Sequence, residues 1–154
     1  MKRRAQIALD PAEQRAFLEN SRTLTLCTLD REGYPHAVAM WYAIEPDGAV
    51  VMTTFAKSQK AVNLRRDPRC ALLVEAGTTY DTLKGLLIRG RAEIDADTEH
   101  VLDVLQKVHV RYDMPGHGDA LREALRAQAS KRVAIRIRPD RIATWDHSKL
   151  AGAY

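Results

Sequence analysis

The sequence predicts a mainly β domain with short helices, an α+β arrangement of six or seven antiparallel strands for which a barrel is the usual closure. Three observations carry that expectation. Apolar and polar residues alternate with period two over 23–29 and again over 133–138. The turn segments Asp30-Arg31-Glu32-Gly33 and Glu45-Pro46-Asp47-Gly48 divide the first half into strand-length pieces. Helical spacing appears only in short windows, 11–18, 57–66, 97–108 and 120–129.

In chain order, Asp10 caps a first helix, Pro11 suits its first position, and Glu13 completes a capping box. Residues 23–29 form the first strand, and Gly33 supplies the positive φ of the following turn. Residues 35–44 read as one second strand, with Val38, Met40, Tyr42 and Ile44 on one face and Trp41 on the other. Residues 49–54 form a third, so that three strands make an antiparallel meander. A helix over 57–66, with Ala61 and Leu64 on one side, stops before Pro68. The apolar run Cys70-Ala71-Leu72-Leu73-Val74 suits a central strand covered on both faces. Gly85 and Gly90 in a long strand over 83–94 mark bulges or close backbone approach. Residues 97–129 are a helical insert of two helices around Met114-Pro115-Gly116-His117-Gly118. A strand over 133–138 and a separate partner strand over 141–145 end the pattern.

With 154 residues, 45% hydrophobic and 29% charged, the chain suits one domain spanning 1–154 rather than a disordered polymer. No apolar run approaches the roughly 18 residues of a membrane span. Met1-Lys2-Arg3-Arg4 is basic, but no apolar stretch follows it, which points to a cytoplasmic protein. Cys27 and Cys70 lie in apolar runs and face the core on this reading; without a CxxC pair or a Cys/His cluster, neither a metal site nor a disulfide framework is expected. The five histidines show no ligand spacing, and no nucleophile elbow or phosphate-binding glycine loop occurs, so catalytic residues remain unassigned.

The net charge is only +4, but it is concentrated. Residues 57–69 and 131–141 each hold five basic residues and one acid. Such segments favour an anionic partner, or else are solvated faces. The one compact constellation is Thr53-Thr54-Phe55-Ala56-Lys57-Ser58-Gln59-Lys60, where a strand ends and a helix begins. Free N–H groups at a helix start, hydroxyls and two lysines three residues apart suit a phosphate. The alternative is Ser58 as a plain helix cap beside solvated lysines.

The hairpin T-L-D-R-E-G-Y-P, followed by V-A-M-W-Y, V-V-M-T-T, K-S-Q-K-A-V-N-L-R-R-D-P-R-C-A-L-L-V and L-I-R-G-R-A-E-I, resembles the pyridoxamine 5′-phosphate oxidase-like superfamily of split β-barrel flavin or deazaflavin oxidoreductases. The ending R-I-A-T-W-D-H-S-K-L-A-G-A-Y is similar to tails of the branch that uses coenzyme F420. The resemblance implies a seven- or six-stranded split barrel, FMN-binding-protein-like, acting as a homodimer with FMN or F420 at the subunit interface. It places Lys57, Ser58, Lys60 and Asn63 on the cofactor phosphate, and Met40, Trp41, Tyr42, Thr53 and Thr54 along the ring. Trp145 and Lys149 are expected to reach the ring from the partner subunit; core or interface packing is the other role open to Trp41 and Trp145. The activity implied is hydride transfer between the cofactor and a small organic substrate, for which Tyr42 or Tyr80 could supply a proton; a flavin or haem carrier is the alternative. Where pyridoxamine phosphate oxidases carry R-L-x-P, this chain has Lys149-Leu150-Ala151-Gly152, which argues against that named activity. Arg65, Arg66 and Arg69 either channel the oligoglutamate tail of F420, or are solvated or paired with Asp67. With 6% aromatic residues and no recognition motif, nucleic acid is not an expected partner.

Overall fold

A computed structural model describes residues 3–150. The strands are β1 (Leu24–Leu29), β2 (Pro35–Met40), β3 (Ala43–Ile44), β4 (Val50–Phe55), β5 (Arg69–Ala76), β6 (Lys84–Asp95) and β7 (Arg132–Asp146). The helices are α1 (Arg3–Gln6), α2 (Pro11–Asn20), α3 (Gln59–Arg66), α4 (Thr98–Arg111) and α5 (Gly118–Ala129). The capping box of α2 is formed as expected: Glu13 N donates to Asp10 Oδ1 at 2.9 Å, and Asp10 N donates to Glu13 Oε2 at 2.8 Å. None of these helices is long and apolar enough to cross a membrane.

The strands form one antiparallel sheet in the order β2-β1-β5-β6-β7-β4-β3. Residues 35–44 are therefore two strands and not one. β2 pairs with β1, β3 pairs with β4, and the two pairs occupy opposite edges, so the expected three-strand meander is not formed. Only Trp41 and Tyr42 separate the two strands, so the edges stand at most about 11 Å apart at that corner. A seven-stranded sheet meets that limit only by curling, and because β2 and β3 do not pair, the barrel stays split. Tyr42 is what breaks the strand: its side chain is fully buried, and its hydroxyl donates to Leu18 O at 2.5 Å.

The last two expected strands are one continuous strand. β7 pairs with β4 through Arg132–Ile137 and with β6 through Ala134–Asp146. Asp140, beside Pro139, is the extra residue of a bulge opposite Arg89 and Gly90, taken up by a shift in register and not by a turn.

Two apolar clusters hold the fold. One fills the barrel and includes Leu24, Leu26, Tyr42, Met52, Leu72, Ile88, Ile135 and Ile137. The other lies between the sheet and the helical pair, where Val51, Ala43 and Ala134 meet Val101, Leu102, Val104 and Leu105 of α4. β5 is buried on one face at Leu72 and Val74, while Ala71 and Leu73 are only half-buried, so it is not sealed on both sides. Cys70 packs against the barrel core, but Cys27 alternates out of phase with Leu24 and Leu26 and lies on the opposite face of β1. Burial pushes the Cys70 thiol up to about 12, so it stays protonated.

Gly85 is the close approach that the sequence marked. It pairs with Trp145, and a Cβ there would lie 2.0 Å from Cζ2 of that indole. Gly85→Ala is expected to destabilise the fold by about 1–3 kcal/mol through overpacking. In urea unfolding, the Gly85→Ala/Trp145→Ala double variant should lose less stability than the sum of the two single changes. Simple additivity would show that the indole is not what requires glycine.

Candidate functional site

The β4–α3 junction is built by ordinary local rules. Ala56 N donates to Lys131 O at 3.0 Å, tying the end of β4 to the start of β7, and Ser58 N donates to Phe55 O at 2.9 Å to close the turn. Ser58 is the N-cap of α3, its hydroxyl accepting from Ala61 N at 3.4 Å and lying 3.1 Å from Thr54 Oγ1. Ser58 thus fills the capping role that composition alone suggested.

The lysines differ from each other. Lys57 is exposed, whereas Lys60 is half-buried and donates to Thr54 Oγ1 at 3.2 Å. Arg132, at the first position of β7, lies near enough for its charge to act on Lys60, from the Thr53 and Phe55 side of the strand: Nη1 lies 3.5 Å from Thr53 Oγ1, and the guanidinium sits 4.4 Å from the centre of the Phe55 ring. Its Nε is buried and has no hydrogen-bond partner. Among the described residues none of Lys57, Lys60 and Arg132 has an ion-pair partner. Two half-buried cations beside one another, with a donor left over and no carboxylate, make a seat for an anion.

Neighbouring arginines are committed elsewhere. Arg65 donates to Ala56 O at 2.6 Å, and Arg66 donates to the carbonyls of Leu29 and Asp30. Arg69 holds Asp67 at 2.6 Å, which keeps that carboxyl at about 2. The pairing with Asp67 is the alternative the sequence left open for Arg69.

Beside the cation pair lies a cleft of about 280 Å³. Met40, Trp41, Thr53 and Arg132 line it from the sheet; Leu105, Val108 and Leu125 of the helical pair line the other side. Trp41 is 48% exposed and stacks on Tyr112 with centroids 4.3 Å apart and 9° between planes.

Of the residues expected at the site, Met40, Trp41 and Thr53 share the cleft, and Thr54, Lys57, Ser58 and Lys60 gather at the junction. Two others are placed in the barrel. Tyr42 is fully buried, and burial pushes its phenol up to about 12, so it keeps its proton, which it donates to the Leu18 carbonyl and not into the cleft. Asn63 is fully buried, donating to Thr28 Oγ1 at 3.0 Å and accepting from Gln59 at 2.8 Å. Trp145 stands at the other end of β7 from Arg132, about 40 Å of strand away. Lys149 donates to Ala8 O at 2.9 Å and pairs with Glu13 at 2.6 Å. Gly152 of the closing segment lies outside the described residues, as do Met1 and Lys2. Arg132 is the residue that sequence reading missed. The basic segment 131–141 contained it, but only the pairing of Phe55 with Arg132 brings it to the junction.

The chain belongs to the pyridoxamine 5′-phosphate oxidase family, which matches residues 10–146. It is 31% identical over 101 residues to an F420H(2)-dependent biliverdin reductase of Mycobacterium tuberculosis (strain CDC 1551 / Oshkosh), across 65% of this chain and 70% of that protein. Among solved structures, the conserved hypothetical protein Rv2991 of Mycobacterium tuberculosis superposes with a TM-score of 0.88 at 45% identity, covering 98% of this chain and 93% of that one. A protein described as an F420 reductase superposes at 0.66 with 27% identity, covering 84% of this chain and 94% of its own. The family read from the hairpin and the K-S-Q-K segment is the family found.

Burial and the neighbouring Arg132 both hold the Lys60 ammonium below its usual value of 10.5. Unfolding restores that value, so the unfolded chain binds more protons in the interval between the two, and stability rises with pH across it. At pH 7 the charged Lys60 therefore costs stability. Lys60→Met should unfold at a higher urea concentration than the wild type at pH 7 in anion-free buffer, and should show a smaller gain between pH 7 and pH 10. Added phosphate should stabilise the wild type more than the variant, which keeps only Lys57 and Arg132.

Proposed function

We propose that this protein is an oxidoreductase that passes a hydride between a bound deazaflavin, coenzyme F420, and a small organic molecule, with FMN as the other cofactor the site accommodates. The observation that carries this reading is the cation pair Lys60–Arg132, which has a free donor and no carboxylate partner beside a cleft floored by an indole. A cofactor with a phosphate at one end and a flat ring at the other fits both halves. When bound, the ring carries the hydride itself, so the protein needs no nucleophile or acid–base dyad. Lys60, Arg132 and Lys57 hold the phosphate, Thr53 and Thr54 position them, and Trp41 and the apolar wall exclude water. The preference for the deazaflavin rests on two relatives whose names include F420, and not on Arg65, Arg66 or Arg69.

The working unit is a homodimer on this proposal. The sheet face opposite the barrel core carries Ala39, Thr25, Leu73, Leu87 and Ala143 in one cross-strand row. A second copy seated on this row would also bring its own Trp145 and Lys149, which within one chain lie far from the clamp. Leu87→Asp should shift the sedimentation coefficient from dimer to monomer.

Titrating the purified protein with F420, and separately with FMN, tests the cofactor, with fluorescence as the readout. F420 should bind more tightly. Lys57→Ala/Lys60→Ala should bind at least about tenfold more weakly, since a charge-assisted hydrogen bond contributes roughly 1.5–3 kcal/mol. Equal affinity in wild type and double variant would remove the clamp. Cofactor binding without steady turnover of any quinone, nitroaromatic or tetrapyrrole would favour the carrier reading.

A further inference from the structure

Trp41 lies in the two-residue link between β2 and β3, outside both ladders, so no strand backbone fixes its direction. Among the described residues its indole N–H has no acceptor, and the side chain is 48% exposed. A half-exposed side chain on an irregular link changes rotamer within nanoseconds unless something holds it. The ring contact that holds this one is with Tyr112, centroid to centroid at 4.3 Å with 9° between the planes.

Tyr112, by contrast, is only 7% exposed and is tied at both ends. It caps α4, its N–H donating to Val108 O at 3.2 Å. At the tip of the ring, its hydroxyl donates to Arg22 O at 2.6 Å and accepts from Tyr42 N at 3.2 Å. The Arg22 guanidinium stands 4.8 Å from the ring centre. A ring so enclosed cannot tilt freely, and the plane stacked on it takes its orientation. The hydroxyl also meets the first backbone N–H beyond Trp41. Tyr112 thus fixes both the chain just after Trp41 and the plane of its side chain.

We propose that Tyr112 is a positioning residue of the site: it holds the Trp41 indole in the plane on which the cofactor's ring lies. This deepens the redox reading and rests on it for the identity of that ring. Tyr112 does not itself line the cleft, so it acts through Trp41. A platform that is already rigid loses little conformational freedom on binding, and fixing it raises affinity without adding a contact.

Two substitutions separate this role from simple support of the fold. Tyr112→Phe keeps the stacked plane, still enclosed and still tied to α4 by its backbone, but leaves the buried Tyr42 N–H without its partner. Tyr112→Leu loses both the hydrogen bond and the plane.

The chain has two tryptophans, so every variant is made in Trp145→Phe, where Trp41 is the sole indole reporter. Three quantities are read: stability in urea, time-resolved anisotropy of Trp41, and affinity for F420 and for FMN from the fluorescence of each. Both variants should be less stable than their parent. Only Tyr112→Leu should show rapid depolarisation of Trp41, and it should bind the cofactor about threefold to tenfold more weakly, the range of one aromatic pair. Tyr112→Phe should keep a fixed indole and bind within about twofold of the parent, since the stacked pair survives. Tyr112→Met, whose unbranched chain fills more of the vacated space, replaces the leucine variant if that one fails to fold. Equal weakening by phenylalanine and leucine would assign the effect to lost stability and overturn the proposal. So would a folded leucine or methionine variant with a fixed indole or unchanged affinity. Failure of the cofactor reading looks different. F420 and FMN would then both fail to bind the parent while the anisotropy still separates leucine from phenylalanine, which removes the cofactor and leaves Tyr112 as the residue that orients Trp41.

Discussion

Two residues of chain between Met40 and Ala43 set the geometry of everything else. They join strands at opposite edges of a seven-stranded sheet, and no flat or gently twisted sheet can satisfy so short a link. The sheet must curl until its edges nearly touch at that corner. The two linking side chains then have opposite fates. Tyr42 turns inward and is anchored to the carbonyls of Leu18 and Ser21, while Trp41 is left outside as a platform. The same bend that closes the barrel therefore supplies the aromatic floor of the cleft.

Electrostatics divides the basic residues into two kinds. Arg65, Arg66 and Arg69 pin α3 and its flanking loops to backbone carbonyls or to Asp67, and their charge is spent on structure. Lys60 and Arg132 are brought near each other at the end of β4, where β7 pairs with it, and among the described residues neither has an ion-pair partner. Counting positive charge along the chain cannot separate these kinds. What separates them is whether each donor already has an acceptor.

The local signals in the sequence read well: the capping box of α2, the period-two strands, the helical insert and the glycine under Trp145. They report on neighbours within a few residues or on one face of one element. The failures share a cause. Tyr42 continues the alternation of β2 in composition, so the break before it is invisible until tertiary packing buries its ring. Pro139 resembles a turn, yet the extra residue beside it, Asp140, is taken up as a bulge in β7 itself and the strand runs on. At the site, the hydroxyls and lysines of the junction were legible because a strand end and a helix start adjoin in sequence. Asn63 shares their helix but faces the barrel, where Thr28 takes its amide. Arg132 joins from 72 positions beyond Lys60, through a strand pairing that no local pattern encodes.

The continuity of β7 has a consequence for how this chain can vary. One ribbon carries the clamp cation at its first residue, lines both apolar clusters in its middle, and lays an indole over Gly85 near its end. Inserting or deleting a single residue between these points would turn every later side chain to the wrong side. The one irregularity among its described residues is a bulge at Asp140, beside Pro139, which shifts the register against β6 by one residue. Side chains along this ribbon can be exchanged one at a time, but its residue count is held fixed from both ends at once.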